Sequence, residues 1–205
     1  IRDSSITGNI IDGRNLYYFA NATDPSIPTD GGEYILANCT GVNISNTEYN
    51  NFLLAFEIAY SNFIIENTNF TNNYYALYII KPYSGSRISS RFALNTYGVY
   101  IENTNIDESV IYQSHFSNNF YGVYIKSSSL GNIISSSTFE VDGIYILDSN
   151  ATIDSSYFTN STIIVEGSEL TLTGSTIEVT LEEFSGTYIG LSVDPTSVLT
   201  MDSTS

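Results

Sequence analysis

Cysteine, histidine and tryptophan are almost missing from this chain. Its 205 residues include one cysteine, one histidine and no tryptophan. A single cysteine excludes an internal disulfide, and we expect Cys39 to be a small buried hydrophobic residue, with an intermolecular disulfide as the alternative. Transition-metal sites need several clustered His or Cys ligands, so the lone His115 predicts no such site and is expected to point into solvent.

Charge is also scarce, and most of it has one sign. Charged residues make up 14% of the chain, against roughly 25% in an average soluble domain. The Ser, Thr, Asn and Tyr residues that take their place are typical of secreted β-rich proteins and predict an extracellular or cell-surface location. The net charge of −16 disfavours nucleic acid as a partner, because phosphate contacts need Lys and Arg.

Long hydrophobic runs are missing too. No run of about 18 apolar residues occurs, so the sequence predicts no membrane-spanning segment. The chain starts at Ile1 without a basic leader, and we expect any signal peptide to have been removed. Six N-x-Ser/Thr sequons permit N-glycosylation, although a chain so rich in Asn, Ser and Thr contains about that many by chance. The sequon asparagines are Asn21, Asn38, Asn43, Asn69, Asn150 and Asn160.

What the chain does contain is a repeat of 19 to 24 residues. Apolar-x-apolar triplets recur at this spacing, and a ladder of aliphatic residues runs in phase with them. The triplets are Leu54-Ala55-Phe56, Leu77-Tyr78-Ile79, Val99-Tyr100-Ile101, Val123-Tyr124-Ile125, Ile144-Tyr145-Ile146, Ile163-Ile164-Val165 and, more weakly, Thr187-Tyr188-Ile189. The ladder consists of Ile44, Ile65, Ile88, Ile111, Ile134, Ile153 and Leu172.

A second ladder usually follows the first by five positions. Its members are Tyr49, Phe70, Phe116, Phe139, Phe158 and Ile177. In the coil that contains Ile88, Phe92 comes one position early, which predicts a bulge or an irregular corner there.

Each triplet alternates as a strand does, with its first and third side chains on one face. One short strand cannot bury its apolar face alone, but coils stacked roughly 4.8 Å apart can. The sequence therefore predicts an all-β right-handed parallel β-helix of about eight coils. A β-sandwich, the competing fold, would place turns roughly every 8–12 residues and needs no longer register. We expect residues 1–33 to form the first coil with an excursion loop, and residues 34–205 to form one continuous β-helix.

Asparagine recurs four positions before the triplet in four consecutive coils. Asparagine tolerates left-handed backbone conformations and hydrogen-bonds locally, so it suits a repeated corner. Stacked asparagine side chains can also bond to one another along the rod. The predicted corner ladder consists of Asn50, Asn73, Asn95 and Asn119, and Glu140 interrupts it in the next coil.

The middle residue of the triplet points away from the core, and it is a tyrosine in four consecutive coils. This predicts an exterior aromatic strip. The strip could be only a stabilising ladder, because tyrosine favours strands and like rings stack. It could also be a contact surface, because four exposed rings in a row exceed what monomers usually expose. The predicted interaction strip comprises Tyr78, Tyr100, Tyr124, Tyr145 and Tyr188.

Two pairs of segments carry a family resemblance. The coils NTNFTNNYYALYI (67–79) and SHFSNNFYGVYI (114–125) resemble the β-helix repeats of NosD-like proteins, of the periplasmic copper-binding or carbohydrate-binding-and-hydrolase type. IDGRNLYYF (11–19), followed by EYILANCTGVNISN (33–46), is similar to a block common in archaeal cell-surface members of that group. The resemblance covers most of residues 6–160 and implies the β-helix fold and a surface or periplasmic setting. The repeated residues are those that stack coils, so copper or sugar binding is implied by the family names alone.

Many β-helices cleave polysaccharides, so the acidic residues are candidates for that chemistry. Glycoside hydrolysis needs two carboxylates about 5–10 Å apart, and β-helix glycosidases add a histidine and a basic residue. No acid here has a His or Arg at a matching position of the repeat, so we expect no enzyme. The acids considered are Asp107, Glu108, Glu140, Asp142, Asp148, Asp154, Glu182 and Glu183. Oxygen ligands could hold Ca²⁺ at Asp24, Asp30 and Glu33, or at Glu140 and Asp142, and no other cofactor is expected.

Two functions remain. The first is an extracellular structural protein of the cell envelope, a surface-layer, sheath or filament subunit that self-assembles through solenoid faces or ends. The last coil, with Val198, Leu199 and Met201, has no polar cap, which favours end-to-end pairing. The second is a glycan-binding surface module or adhesin that uses the tyrosine strip as a platform. The expected partners are other copies of the chain and, in the second case, a polysaccharide.

Overall fold

The computed structural model describes residues 4–11, 13–106, 110–178 and 190–202. These residues form strands and turns without a helix, and so none of them belongs to a helix that could cross a membrane. Strands of successive coils pair in parallel, and the stack is a β-solenoid of about seven turns. The predicted all-β solenoid is confirmed, with about one turn fewer than expected.

The strands are short, as the triplet pattern predicts. The first twelve are β1 (Ser4–Ile11), β2 (Arg14–Ala20), β3 (Gly31–Ala37), β4 (Val42–Ser45), β5 (Glu48–Asn50), β6 (Leu54–Ala59), β7 (Phe63–Thr71), β8 (Tyr75–Ile80), β9 (Arg87–Ala93), β10 (Tyr97–Glu102), β11 (Asn105–Ile106) and β12 (Ile111–Tyr112). The remaining twelve are β13 (His115–Ser117), β14 (Tyr121–Lys126), β15 (Ser129–Ser135), β16 (Thr138–Glu140), β17 (Gly143–Leu147), β18 (Asn150–Asp154), β19 (Tyr157–Thr159), β20 (Thr162–Glu166), β21 (Glu169–Thr173), β22 (Thr176–Glu178), β23 (Gly190–Val193) and β24 (Val198–Asp202).

The strands form two sheets that alternate along the chain. Sheet 1 has ten strands in the order β1-β2-β3-β6-β8-β10-β14-β17-β20-β23, and sheet 2 has the other fourteen. β1 pairs with β2 in antiparallel, and the later pairs of sheet 1 are parallel. A typical coil therefore has three corners. Corner 1 follows the sheet 1 strand, corner 2 lies between the two sheet 2 segments, and corner 3 precedes the next sheet 1 strand.

The interior consists of stacked columns, as the two ladders predict. The aliphatic ladder from Ile44 to Leu172 pairs in register from coil to coil. The aromatic ladder from Tyr49 to Ile177 does the same. Phe92 enters this column early because β9 runs straight through the corner, with no residue in the left-handed region. The irregular corner predicted there is confirmed.

Cys39 lies inside this core, as predicted. Its side chain is fully buried, and its S–H donates to the carbonyl of Phe19 at 3.6 Å. A thiol in this position packs as a small hydrophobic group and is not accessible to a second molecule.

The register of the first triplet was wrong by two residues. Phe56 pairs with Leu77 and Ile58 pairs with Ile79, so the first triplet is Phe56-Glu57-Ile58 and not Leu54-Ala55-Phe56. Leu54, predicted to point inward, pairs with the outward Tyr75, and Ala55, predicted to point outward, is fully buried, so the slip also placed these two side chains on the wrong face. In β23, the last strand of sheet 1, Leu191-Ser192-Val193 pairs with the triplet that ends at Val165. The triplet predicted at 187–189 lies outside the described residues.

Corner 3 carries a ladder of buried asparagines. The side-chain oxygens of Asn73, Asn95 and Asn119 each accept the backbone N–H of the equivalent residue one coil earlier, at 2.9 Å. Each side-chain amide also donates to a backbone carbonyl, so these buried polar groups are satisfied. The ladder therefore stabilises the corner by joining consecutive coils.

Two positions of this corner differ from the prediction. Asn50 is not a member, because Phe52 occupies the equivalent position and Asn50 pairs with Thr71 at the end of β5. This is the same two-residue slip as in the first triplet. Glu140 does not interrupt the ladder either, because the buried Asp142 continues it and accepts the N–H of Asn119 at 3.0 Å.

Hydroxyl residues form the other two corner ladders, which the sequence analysis missed. Each hydroxyl oxygen accepts a backbone N–H from the coil before, as the asparagines do. The donor is the equivalent residue except for Thr104, which accepts from Lys81 because its equivalent, Pro82, has no N–H. Corner 1 has Thr104, Ser128, Ser149, Ser168 and Ser197. Corner 2 has Ser90, Ser114, Ser137, Ser156 and Ser175. Serine is so common in this chain that its recurrence carries little signal on its own.

The residue before each corner 3 ladder member, and not the member itself, adopts the left-handed conformation. Asn72 and Asn118 have φ of 56° and 55°, values that asparagine tolerates. Leu94 and Val141 occupy the same place with φ of 58° and 55°, although both side chains are largely exposed. Branched residues are strained in this region, and no burial offsets the strain.

We expect Val141→Asn to stabilise the protein by about 1 kcal/mol, because it removes left-handed strain at an exposed position. The free energy of unfolding from urea titration measures the gain. The matched control is Val198→Asn, at an equally exposed position in strand β24 with ordinary backbone geometry. A similar gain in both variants would show that polarity, and not backbone strain, is responsible.

Candidate functional site

Tyrosines cover the outer face of sheet 1 in two adjacent columns. The tyrosine strip is one column, in which Tyr78, Tyr100, Tyr124 and Tyr145 pair from β8 to β17. Ile164 and then Ser192 continue this column, and Tyr188 lies outside the described residues. Three positions earlier, a second tyrosine column contains Tyr75, Tyr97 and Tyr121. The sequence analysis missed this column, although it recurs at the same spacing.

The rings of the two columns form one continuous aromatic layer. Tyr100 and Tyr124 stack with centroids 4.8 Å apart and planes 4° from parallel. Tyr124 and Tyr145 stack at 5.0 Å and 6°. Rings of neighbouring columns meet edge to face, as Tyr97 and Tyr124 do at 5.6 Å and 79°. Most ring faces are therefore covered by other rings, and edges and hydroxyl groups point outward.

Carboxylates anchor several of the tyrosine hydroxyls. Tyr78 donates to Glu102 at 2.6 Å, Tyr100 donates to the other oxygen of Glu102 at 3.3 Å, and Tyr145 donates to Glu166. Burial and the carboxylate raise the pKa of Tyr78 and Tyr145 well above the ordinary value, and burial beside other tyrosines raises the pKa of Tyr97 to about 12. These hydroxyls stay protonated donors at any physiological pH.

The two outer faces of the solenoid differ sharply in chemistry. In β8, β10, β14 and β17, the outward residues next to the tyrosines are Ile80, Glu102, Lys126 and Leu147. The outer face of sheet 2 presents mostly hydroxyl, amide and charged side chains, such as Glu66 and Asn69 in β7 or Arg87 and Arg91 in β9. One face is thus an aromatic layer, and the other is an ordinary polar surface.

An exposed apolar edge borders the aromatic layer at corner 3. Its members are large apolar side chains left in solvent, and Phe120 is 69% exposed. The edge consists of Leu53, Tyr74, Leu94, Phe120 and Val141. It includes Leu94 and Val141, which are strained in the left-handed region. Both side chains are exposed, so burial does not compensate for the strain. Strained residues of this kind collect at functional surfaces.

The six sequon asparagines avoid the aromatic layer. Asn21, Asn38 and Asn160 lie at corners in the left-handed conformation, and Asn43, Asn69 and Asn150 lie in sheet 2 strands. Glycans at any of these positions would leave the outer face of sheet 1 uncovered.

His115 points outward, as predicted, but it is not alone. Its Nδ1 lies 2.7 Å from the Thr138 hydroxyl, and its Nε2 lies 3.9 Å from Glu140. In the register of β13 and β16, His115 pairs with Thr138 and Glu140 pairs with Ser117, so Glu140 has no histidine at its matching position. The 3.9 Å separation is too long for a hydrogen bond, so the pair is a loose surface contact.

The carboxylates proposed for Ca²⁺ do not converge. Asp142 accepts two hydrogen bonds from Asn119 inside corner 3, so it is turned away from Glu140's exposed side chain. Asp30 accepts hydrogen bonds from Tyr17 and Asn15. Within the described ranges, no three His, Cys, Asp or Glu side chains are grouped closely enough to hold a metal ion.

An open groove of about 660 Å³ runs along corner 1. Hydroxyl and amide side chains dominate its lining, with Lys81 and Asp148 as the charged members. It contains no tyrosine and lies outside the aromatic layer.

Comparison with known proteins assigns no function to this surface. No protein-family model matches the chain, and no curated protein matches it. The resemblance to NosD-like repeats therefore stays a prediction, and the function has to be argued from the surface itself.

Proposed function

We propose that this protein is an extracellular structural protein of the cell envelope, a subunit that self-associates through the outer face of sheet 1. The asymmetry of the two outer faces carries the proposal. Monomeric soluble proteins rarely expose a large contiguous apolar patch, and larger patches mark contact surfaces. Seven half-buried tyrosines in two columns, bordered by an exposed apolar edge, form a contiguous aromatic surface of this kind. The outer face of sheet 2 is more polar, with Ile64 and Tyr157 as scattered exposed hydrophobic residues.

Ring geometry favours a protein partner over a glycan. A sugar that stacks on an aromatic residue needs an open ring face. In the tyrosine strip the faces of Tyr100 and Tyr124 cover each other and are covered by Tyr78 and Tyr145. What points outward is ring edges and hydroxyls, which pack well against another apolar protein surface.

Composition and sequon placement support an extracellular setting for this subunit. The surface depends on Ser, Thr and Asn more than on charge, and five of the six sequons lie away from corner 3 and the aromatic layer, whereas Asn160 occupies the corner 3 position of Val141 in the next coil. The net charge of −16 opposes close approach of two copies, so a layer with few charges is the surface best suited to overcome it.

The double variant Tyr100→Ser, Tyr124→Ser tests the proposal. Both rings lie at the centre of the layer, where aromatic residues contribute most to binding. We expect the dissociation constant for self-association to rise roughly a thousandfold or more, since each ring at the centre contributes about 2 kcal/mol. Analytical ultracentrifugation at 0.15 M salt gives the constant, and electron microscopy shows whether ordered assemblies disappear.

The matched control is Tyr112→Ser, Tyr157→Ser, which removes two tyrosines from the outer face of sheet 2. This control is expected to assemble like the unmodified protein. A protein that stays monomeric at all concentrations, but is retarded on polysaccharide affinity gels, would establish the glycan-binding alternative instead.

A further inference from the structure

The charges of the aromatic layer are few and centrally placed. Among the outward residues of β8, β10, β14 and β17, Glu102 and Lys126 are the charged ones. They occupy equivalent positions in neighbouring coils. Glu102 accepts hydrogen bonds from tyrosines, while Lys126 forms no ion pair with any described residue. A partner that covers this layer must therefore supply a negative group opposite Lys126, because a buried unpaired charge is costly.

We propose that two copies of the chain bind face to face through this layer, with a two-fold axis that runs along the strand direction between β10 and β14. This inference rests on the proposed self-association and specifies its geometry. The axis reverses the order of the coils but keeps the position along each strand. β10 then faces the partner's β14, and β8 faces the partner's β17.

This arrangement pairs the two charges. Glu102 faces the partner's Lys126, and Lys126 faces the partner's Glu102, so each ion pair occurs twice. Both pairs lie near the axis, where the surrounding aromatic layer excludes water. Such reciprocal contacts are the mark of an isologous interface.

The apolar positions of the outer coils match as well. Ile80 at the end of β8 faces the partner's Leu147 at the end of β17, which stands in the same position along the strand. In the tyrosine strip, Tyr100 faces the partner's Tyr124, and Tyr78 faces the partner's Tyr145. Across four consecutive coils, tyrosines therefore face tyrosines, aliphatic residues face aliphatic residues, and each charge faces the opposite charge.

A gap in the second tyrosine column fits the same axis. Four residues separate the left-handed Asn118 from the buried Val123, but only Asp142 and Gly143 separate the left-handed Val141 from the buried Ile144. The coil of β17 therefore has the small Gly143 in place of a counterpart of Tyr121, with Phe120 and Tyr121 of the coil before packed closely against it. The two-fold axis places the bulky Tyr75 of one copy opposite this small residue in its partner.

The other two-fold axis that brings these faces together runs along the rod, and it fits less well. It would place each coil opposite its own copy and exchange the two ends of each strand. Glu102 would then face the partner's Tyr97, and Lys126 would face the partner's Tyr121. Both charges would be buried without a counter-charge, at a cost of several kcal/mol.

Charge exchange tests this geometry. Glu102→Lys alone places lysine against the partner's Lys126, and Lys126→Glu alone places glutamate against the partner's Glu102. Each single variant is expected to raise the dissociation constant at least tenfold. Mixing the two variants creates complementary pairs at both positions of a heterodimer, so ultracentrifugation of the mixture is expected to show recovered dimer.

Cysteine cross-linking in a Cys39→Ala background provides an independent readout. A mixture of Ile80→Cys and Leu147→Cys chains is expected to form a disulfide-linked dimer that neither chain forms alone. If the protein dimerises but the mixed variants neither recover association nor cross-link, the proposed axis is wrong while self-association stands. If two Tyr100→Cys chains form a disulfide with each other, the axis runs along the rod. If the unmodified protein stays monomeric at all concentrations, the proposed function fails together with the axis.

Discussion

Replacing Asp142 by asparagine is expected to make the protein more stable at neutral and alkaline pH by about 4 kcal/mol. Asp142 is the one acid in the buried ladder of corner 3, and it is 4% exposed. Burial raises its pKa from the ordinary 3.8 to about 7, against the opposing effect of the N–H donors of Asn119 and Glu140. Each unit of pKa difference between the folded and unfolded states corresponds to about 1.4 kcal/mol.

The sign of this effect follows from where the proton is held. Between about pH 4 and pH 7 the folded protein keeps the proton of Asp142, while the unfolded chain has lost it. The contribution of Asp142 to stability is therefore complete below pH 4 and is lost as the pH rises through 7. Asparagine does not titrate, and its amide is expected to donate to the Phe116 carbonyl, as Asn119 donates to Phe92.

The measurement is the free energy of unfolding of both proteins from pH 4 to pH 8. The advantage of Asp142→Asn over the unmodified protein is expected to grow with pH and to level off above pH 7. The same exchange at the exposed Asp148, in corner 1, serves as the control and is expected to show no such growth. An advantage that is constant over the whole range would mean that Asp142 is ionised in the folded protein throughout.

Phe116→Ala is expected to destabilise the protein by about 3–5 kcal/mol. The Phe116 ring is fully buried between Phe92 at 4.9 Å and Phe139 at 4.6 Å, with planes within 9° of parallel. Its removal leaves a cavity in the middle of the aromatic ladder and breaks two stacked pairs. The rigid backbone of adjacent coils limits how far the core can collapse into the space.

Denaturant titration distinguishes this loss from a general effect of shortening a phenylalanine. The transition midpoint is expected to fall with little change in slope if unfolding stays two-state. Phe120→Ala is the matched control, because Phe120 lies four residues away and is 69% exposed. Its effect is expected to stay within roughly 0.5 kcal/mol. Equal losses in the two variants would refute the stacked-core account.

The sequence predicts the core of this fold because burial and period coincide there. Ile88, Ile111 and Ile134 must all point inward at the same place in each coil, so their spacing reveals the stack directly. The same holds for the outward tyrosines from Tyr78 to Tyr145. In β6 the outward residue of the triplet is Glu57 and not a tyrosine. The predicted triplet was therefore placed two residues too early, and Asn50 was assigned to the corner ladder by the same error.

The corners were less predictable, for a different physical reason. A corner needs one left-handed residue and one buried acceptor, and chemically unlike residues satisfy the second need. Asn119, Asp142 and Ser161 all accept the N–H of the preceding coil at corner 3. A search for recurring asparagines therefore ends at Asn119, although the ladder of hydrogen bonds continues through Asp142 and Ser161.

The sequence by itself determined that the chain is a solenoid, which residues stack in its core, and that a column of tyrosines lies outside. Only the tertiary structure decided that Tyr75, Tyr97 and Tyr121 join this column in one layer, that Asp142 is buried in a ladder of asparagines, and that Glu102 and Lys126 lie side by side. Periodicity along the chain reports which face a side chain takes. Contacts between coils depend on exact register, which alternation within one short strand does not determine.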